Sequence, residues 1–273
     1  EFSLYPVVKR LEKLLGRSIN LVLDLDNLPS INQGEMIVLE NIRFLKGEKS
    51  NEPSLSKKLA NIADIFVMDA FATSHRAHSS TTGVIEYSDK ACAGFLLQEE
   101  IKALSKLTHN KGNSLAVLGG AKISTKLDLI NSLCEKMDNV ILGGGIANTC
   151  LLAQGFSVGN SLVEESMLKE AFELSEKDNV IVPKIIVTAK NKEQEGCIKS
   201  IVDIEEDDSI FDIAPESFKE NKDLFEAAST ILWNGPMGLF EQNSFAEGTN
   251  EVAKMIVSSN GFSVAGGGDT ISA

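Results

Sequence analysis

The sequence predicts an α/β protein of two domains, each a mostly parallel sheet flanked by helices in a Rossmann-like arrangement and joined by a long helix. Three observations favour this fold class. Apolar, β-branched segments alternate with amphipathic helical segments, several apolar segments end in glycine, and 273 residues suffice for two domains of ordinary size, roughly 100–200 residues each. Such alternation implies right-handed crossovers and a sheet covered on both faces.

The first half begins with a helix over residues 5–15, in which Leu11, Leu14 and Leu15 form an apolar face and after which Gly16 is a stop signal. The segments that follow have the composition of a strand, a second strand, a helix and a third strand: 19–25, 35–44, 52–63 and 64–72.

Domain boundaries follow from a long helix and a polar run. Apolar residues at three- and four-residue steps predict the helix over 91–108, and the run "HNKGNS" at 109–114 separates the two halves. We therefore assign 1–90 to an N-terminal domain, 91–108 to an interdomain helix and 109–273 to a C-terminal domain.

The second half repeats one pattern, an apolar strand followed by glycine and a helix. Four strand ends carry such glycines: Gly119 and Gly120, Gly143 to Gly145, Gly235 with Gly238, and Gly266 to Gly268. Ligands of open parallel sheets bind outside the carboxyl ends of the strands, where glycine admits close approach of backbone or of an anion. We expect a ligand site at this edge. The section 190–223 reads as irregular, and its acidic run 203–208 as a solvated loop.

Composition narrows the classes of partner. The formal net charge of −13 disfavours nonspecific nucleic-acid binding, and it requires that local positive groups hold any anionic ligand. No uninterrupted apolar stretch approaches the roughly 20 residues that a membrane span needs. The four cysteines are scattered without metal-ligand spacing, so reduced thiols in a cytoplasmic protein are expected.

Lys122 and Lys126 lie four residues apart at a predicted helix start, where they repel each other and the helix dipole disfavours cations. A phosphate between them would cancel both effects, whereas solvated surface lysines are the open alternative. The position of Asp269 directly after three glycines predicts an N-cap residue with a second role as a magnesium ligand. Glu241 is either a surface carboxylate or a ribose ligand.

Arg43 lies near a strand end in "ENIRF", where it is either paired with a carboxylate such as Glu40 or reserved for an anion. The polar stretch "DAFATSHRAHSS" carries His75, Arg76 and His78. A general base and an ordinary loop residue are both open roles for His75 and His78. A metal site is disfavoured because no third ligand is near.

Taken together and in order, seven segments resemble the bacterial form of the phosphoglycerate kinase family: "LENIRFLKGEK", "MDAFATSHRAHSSTTGV", "LGGAKISTKLDLI", "GGGIANTCLLAQG", "ILWNGPMGLFE", "FAEGT" and "GGGDT". The resemblance implies a glycolytic enzyme that moves a phosphoryl group reversibly between 1,3-bisphosphoglycerate and Mg-ADP, giving 3-phosphoglycerate and ATP. It also implies a cytoplasmic monomer whose domains close about a hinge.

The same resemblance implies the site residues. Arg43, Arg76 and His75 would bind the phosphoglycerate. Both arginines and Lys122 would be catalytic residues, and Lys122 would contact the transferred phosphoryl group. Asp269 would hold Mg²⁺. The nucleotide would be bound by Gly120, Lys122, Lys126, Gly144, Gly145, Asn234, Glu241, Gly267, Gly268, Asp269 and Thr270. Such chemistry needs positioning and charge neutralisation rather than a nucleophilic side chain.

Some family features are missing between Glu1 and Ala273. The family's first strand and its last glycine-rich loop have no counterpart, and Ala72 and Ala214 stand where the family has glycine. We therefore expect a fragment that binds nucleotide weakly and has little activity alone.

Two alternatives come from other functional classes. A NAD-dependent dehydrogenase would need GxGxxG, which "GGGIAN" fails because Asn148 occupies the last position. A noncatalytic nucleotide-binding fragment would bind Mg-ADP without responding to 3-phosphoglycerate. The joint presence of the arginines, the lysines and Asp269 argues against that loss of chemistry.

Overall fold

A computed structural model of the chain describes residues 2–109 and 112–273, apart from the side chains of 107–109. The chain divides into two compact units, Glu1–Lys102 and Ala103–Ala273. The predicted boundary at 109–114 lies partly outside the described residues. The predicted α/β class is confirmed, because helices flank sheets that are mostly parallel.

The first unit contains two short parallel sheets. Its helices and strands are α1 (Tyr5–Leu15), β1 (Asn20–Val22), β2 (Ile37–Leu39), α2 (Pro53–Ala60), β3 (Phe66–Met68), α3 (Val84–Tyr87), β4 (Ala91–Ala93) and α4 (Phe95–His109), the last of which continues into the second unit. Strand β1 pairs with β2, and β3 pairs with β4.

Helix α1 has the predicted bounds. Proline at position 6 lies in its first turn, and Gly16 ends it at φ +64° while donating its N–H to the carbonyl of Glu12 at 2.9 Å. The predicted apolar face is wrong in part. Val8 is the buried residue of the helix, whereas Leu14 and Leu15 in the last turn are exposed.

The start of the predicted helix 91–108 is a strand instead. Ala91–Ala93 pair with β3, and Gly94 donates its N–H to the carbonyl of Met68 at 2.8 Å. The helix begins at Phe95, and the Asp69 carboxylate accepts the N–H of Leu97 at 2.8 Å. Spacing within the segment carries no information about this pairing, because the partner strand lies far back in the chain.

The second unit holds one five-stranded parallel sheet and one three-stranded antiparallel sheet. Its further elements are β5 (Ser114–Leu118), α5 (Leu127–Lys136), β6 (Asn139–Leu142), α6 (Gly144–Ala153), α7 (Leu168–Ser175), β7 (Val180–Ile181), β8 (Ile185–Ala189), β9 (Cys197–Ser200), β10 (Ser209–Ile213), α8 (Pro215–Lys219), α9 (Lys222–Ala227), β11 (Thr230–Asn234), α10 (Glu247–Ser258), β12 (Phe262–Gly266) and α11 (Gly268–Ser272). The strand orders are β12-β11-β5-β6-β7 and β10-β8-β9.

The register of the parallel sheet aligns its strand ends. Leu118 lies opposite both Leu142 and Asn234, and Asn234 lies opposite Gly266. Strand β5, at the centre, is buried along its whole length. The glycine turns that follow these strands therefore leave the sheet at one edge, as the sequence predicts.

The acidic section 190–223 is more ordered than predicted, because it contributes β9, β10 and two helices. Asp208 is only 2% exposed, so the prediction of a solvated loop is wrong at this position. Its carboxylate accepts hydrogen bonds from Lys199 Nζ at 2.7 Å and from the N–H of Glu205 at 2.9 Å, and Lys190 Nζ lies 3.3 Å away. Two lysines compensate this buried charge.

Among the described helices, none combines the length and the apolar character needed to cross a lipid bilayer.

Candidate active site

Glycine at the strand ends of the second unit allows backbone to pack against backbone. A Cβ atom on Gly119 would lie 2.7 Å from the carbonyl carbon of Pro236 and 2.8 Å from the carbonyl oxygen of Gly235. Gly144 has φ +62° and donates its N–H to the carbonyl of Met237 at 2.9 Å. Both positions exclude a side chain, so the packing of these turns requires glycine whether or not a ligand is bound.

Lys126 lies at the junction of two of these turns. Its Nζ donates to the carbonyl of Gly119 at 2.8 Å, to Asn234 Oδ1 at 2.6 Å and to the Asn234 carbonyl at 3.3 Å. Burial lowers the pKa of this lysine, and the negative charge of Asp269 opposes that effect. A half-buried cation is thus held by neutral oxygens next to an acidic residue.

The prediction that Lys122 and Lys126 share a helix face is wrong. Helix α5 begins at Leu127, so Lys126 is its N-cap residue and Lys122 lies in the preceding turn, where it is exposed. The N–H and hydroxyl of Ser124 both donate to the carboxylate of Glu164. These bonds lower the pKa of Glu164, and the charge of Lys122 is a smaller cause. A contact from 40 residues away therefore shapes this turn.

Asn234 and Thr270 connect the ends of β11 and β12. Asn234 Nδ2 donates to the carbonyl of Gly266 at 2.8 Å. The Thr270 hydroxyl donates to the same carbonyl at 2.7 Å and accepts the N–H of Gly235 at 2.7 Å. Thr270 is buried, so its hydroxyl holds the turns together.

Asp269 is not the N-cap that the sequence predicts. Gly267, at φ +99°, is the N-cap of α11, and Asp269 lies within the first turn. Its side chain is exposed and accepts no hydrogen bond within residues 2–109 and 112–273. A Cβ atom on the neighbouring Gly268 would have open space around it. The carboxylate is therefore available to a cation.

A cavity of about 570 Å³ lies at this edge of the second unit. It is lined by 120–121 after β5, by 144–145 at the start of α6, by 236–241 after β11, and by Asp269. Of the predicted residues, the lining includes Gly120, Gly144, Gly145, Glu241 and Asp269. Lys126 and Asn234 are bonded to the turns beside it. The volume suits a small-molecule ligand.

Arg43 lies in the first unit, in a 3-10 turn over Ile42–Phe44 that follows β2. It is exposed and forms no ion pair among the described residues. The Glu40 carboxylate is not its partner, because it accepts instead from Ser3 Oγ at 2.6 Å and from the N–H of Leu4 at 2.7 Å. Of the two predicted alternatives, the pair with Glu40 is wrong.

The two histidines of "DAFATSHRAHSS" differ in environment. His75 and Arg76 are exposed. His78 is half-buried, with Nδ1 3.6 Å from the buried carboxylate of Glu48. That carboxylate also accepts the hydroxyl of Ser80 at 2.6 Å and so fixes the segment after Arg76.

Comparison with known proteins decides which class of enzyme this site belongs to. A family model described as phosphoglycerate kinase matches residues 1–273. The chain belongs to the phosphoglycerate kinase family. It is therefore a phosphotransferase, and none of the relatives below is a dehydrogenase by name.

Relatives and solved structures agree with the family. Phosphoglycerate kinase from Francisella tularensis subsp. novicida (strain U112) is 46% identical over an alignment 281 residues long, which covers 100% of this chain and 72% of that protein. The enzyme from Vibrio campbellii is 46% identical over 276 residues with the same coverage. The structure of phosphoglycerate kinase from Coxiella burnetii has a TM-score of 0.89 at 42% identity, covering 99% of this chain and 71% of that one. That from Pyrococcus horikoshii OT3 has a TM-score of 0.83 at 30% identity, covering 98% and 73%.

Several residues that line the cavity were not predicted from the sequence. Apolar Leu162 and Phe211 come from loops and strands whose proximity depends on the fold. In the sequence, Asn148 is distinguished only as the residue that breaks GxGxxG, and Asp212 lies in the section that the sequence predicts to be irregular. The spacing of Asn148 from Gly144 is the one signal that was available, since residues four apart share a helix face.

Asp212 is a buried carboxyl group in the cavity lining. It is 1% exposed, and its oxygens accept the N–H of Gly248 at 2.7 Å and that of Ile213 at 2.9 Å. Burial raises the pKa of Asp212 from 3.8 to about 7, the two backbone hydrogen bonds oppose this rise, and the charge of Glu247 adds to it.

Asp212→Asn should therefore change how stability depends on pH. Because the folded-state pKa lies above the unfolded one, the folded form favours the proton, and this stabilisation is lost as pH rises from about 4 to about 7. The free energy of unfolding of the variant, relative to the unsubstituted chain, should rise by about 3 kcal/mol between pH 4.5 and pH 8. Urea unfolding at both pH values measures it, with the exposed Asp178→Asn as control. A difference that does not vary with pH would contradict the raised pKa.

Proposed function

We propose that this chain takes part in the reversible transfer of a phosphoryl group between 1,3-bisphosphoglycerate and ADP, with the nucleotide bound in the cavity of the second unit. The observation that carries the nucleotide site is the position of Lys126. Its ammonium group is held by neutral oxygens of Gly119 and Asn234 beside the cavity. In a chain of net charge −13, such a cation is the local positive group that a polyphosphate needs.

The other roles follow from position around Lys126. Lys122 is exposed in the turn before it, so it can neutralise the phosphoryl group during transfer. Glu241 lines the cavity and would accept the ribose hydroxyls. Gly120, Gly144 and Gly145 would border the base, and Asn234, Gly267, Gly268 and Thr270 would support the phosphates.

Asp269 fits a magnesium ligand, because its exposed carboxylate accepts no hydrogen bond from the described residues and lines the cavity. Mg²⁺ is usually bound by one or two carboxylates together with phosphate oxygens. When bound, the ion would neutralise charge on the phosphate oxygens.

The acceptor site is proposed in the first unit. Arg43 and Arg76 are exposed cations that suit the carboxylate and phosphate of 3-phosphoglycerate, and His75 lies beside Arg76. With this assignment we also propose the division into 1–90, 91–108 and 109–273, a hinge closure that joins the two substrates, and a cytoplasmic monomer.

Calorimetric titration of the chain with Mg-ADP and, separately, with 3-phosphoglycerate tests the proposed function. Both ligands should bind. Arg76→Ala should weaken 3-phosphoglycerate binding by about 30-fold, because it removes a charge-assisted contact, while the dissociation constant of Mg-ADP changes less than about twofold.

The matched control is Arg10→Ala, which removes an exposed arginine from α1 of the same unit. It should leave both affinities unchanged. Binding of Mg-ADP without any heat from 3-phosphoglycerate would favour the noncatalytic nucleotide-binding alternative instead.

A further inference from the structure

The segment "FAEGT" at 245–249 is one of those that resemble the phosphoglycerate kinase family, yet it has no part in the proposed function. It leads into the first turn of α10, and none of its residues lines the cavity of the second unit. The hydroxyl of Thr249 accepts the N–H of Met237 at 3.0 Å. Thr249 is 2% exposed and Met237 is fully buried, so this hydrogen bond is shielded from water. The segment therefore contacts the cavity wall from its outer side.

The backbone of Met237 is held by the first turns of two helices. Its N–H is bonded to Thr249 of α10, and its carbonyl accepts the N–H of Gly144 at 2.9 Å, at the start of α6. Met237 and Gly144 both line the cavity, whereas Thr249 does not. One stretch of the cavity lining is thus fixed between α6 and α10.

The wall formed by 236–241 is also attached to β10. The N–H of Leu239 donates to the carbonyl of Phe211 at 2.8 Å. A Cβ atom on Gly238 would lie 2.6 Å from the Cα atom of Asp212, so the wall lies directly against the strand. Asp212 in turn accepts the N–H of Gly248 at 2.7 Å. Strand β10, the start of α10 and the wall therefore form one junction, in which Thr249 supplies the side-chain bond from α10 to the wall.

Glu241 lies at the end of this wall. Its side chain is exposed, and its carboxylate accepts no hydrogen bond from any residue that the structure describes. Because no such bond sets its direction, the place of the carboxylate in the cavity depends on the backbone of 236–241. Hydrogen bonds weaken steeply when distance or angle departs from the optimum. A shift of the wall at Met237 would therefore weaken whatever Glu241 binds.

We propose that Thr249 is a positioning residue for the nucleotide, because its hydroxyl fixes the Met237 peptide and thereby places the Glu241 carboxylate where the ribose hydroxyls can donate to it. This inference rests on the proposed function, since it requires the ribose to reach Glu241. Without the hydroxyl, the buried N–H of Met237 would lose its acceptor, which is unfavourable. The wall would then shift toward another acceptor or toward water, and Glu241 would shift with it.

The test compares Mg-ADP with Mg-2′,3′-dideoxy-ADP, which lacks both ribose hydroxyls. Calorimetric titration should show that the unsubstituted chain binds Mg-ADP about 10-fold more tightly, because the analogue cannot donate to the carboxylate. In Thr249→Val, which keeps the shape and removes the hydroxyl, this ratio should fall to about threefold or less. Thr249→Ser retains a hydroxyl and should keep the ratio near 10-fold.

Thr188→Val is the matched control. It removes another buried hydroxyl of the second unit, in β8 and outside the cavity lining, and should keep the ratio near 10-fold. A merely structural role of Thr249 would lower the urea midpoint of Thr249→Val and shift both dissociation constants together. The ratio would then stay near 10-fold in that variant, and this result would overturn the inference, as would a lost ratio in Thr249→Ser.

Two further outcomes separate this inference from the proposed function. Equal affinity of the unsubstituted chain for both nucleotides would overturn the inference while nucleotide binding stands. Failure of Mg-ADP to bind would overturn the proposed nucleotide site and the inference with it. If Thr249→Val does not fold, Thr249→Cys takes its place with the same expected fall in the ratio, because a thiol is only a weak acceptor.

Discussion

Lys126→Met should weaken binding of Mg-ADP by about 100-fold, the largest effect on affinity that we expect from one side chain. Methionine keeps the length and apolar stem of lysine but lacks the charge. The ammonium group lies within 2.6 Å of Asn234 Oδ1 and within 2.8 Å of the Gly119 carbonyl, at the edge of the cavity. Its loss removes the cation around which the phosphate site is proposed.

Stability should change much less than affinity. The substitution leaves the Asn234 and Gly119 oxygens without their lysine donor, but it also removes a charge whose burial is unfavourable, as the lowered pKa of Lys126 indicates. These effects oppose each other, so the free energy of unfolding should change by about 1 kcal/mol or less.

Calorimetric titration gives the affinity, and urea unfolding followed by tryptophan fluorescence gives the stability. Lys136→Met is the matched control, since it removes an exposed lysine from the last turn of the same helix. It should bind Mg-ADP as the unsubstituted chain does. If Lys126→Met retained affinity within about threefold, the phosphates would have to bind elsewhere.

Gly119→Ala should destabilise the second unit by about 3 kcal/mol or more, the largest effect on folding that we expect. The added Cβ would meet the carbonyl carbon of Pro236 at 2.7 Å and the carbonyl oxygen of Gly235 at 2.8 Å. Both are backbone atoms that a side-chain rotation cannot move. The turns after β5 and β11 would have to separate, and nucleotide binding should be lost with them.

Trp233, the sole tryptophan of the chain, reports on this region. It is 7% exposed in β11, and its Nε1 donates to the carbonyl of Gly235 at 2.9 Å. Urea unfolding followed by its fluorescence should show a lower midpoint for Gly119→Ala. In Gly268→Ala, where a Cβ has open space, the midpoint should be unchanged. Equal midpoints for Gly119→Ala and the unsubstituted chain would contradict the close packing of these turns.

The sequence was informative where structure depends on local composition. The end of α1 follows from Gly16, the stop signal that the sequence predicts. The alignment of glycine turns follows from apolar runs that end in glycine, because parallel strands bring their carboxyl ends to one edge. The cavity, with Gly144 and Asp269 in its lining, lies at that predicted edge.

The errors occur where a distant partner decides the local structure. Ala91–Ala93 has a composition that suits a helix, but it pairs with β3. The sequence predicts a helix that already includes Lys122. In the structure, Lys122 lies in a turn that is bonded through Ser124 to Glu164, and the helix begins only at Leu127. Asp208 is acidic and sits in an acidic run, yet Lys199 makes its burial possible. None of these partners is adjacent in sequence.

The shared register of β5, β11 and β12 limits how this protein can be re-engineered. Inserting a single residue into β11 would invert its alternation, so that Trp233 would exchange faces with its neighbours and Asn234 would no longer stand level with Leu118 and Gly266. Attempts to retune ligand preference by lengthening the chain should therefore target the connection between α6 and α7 rather than the strands.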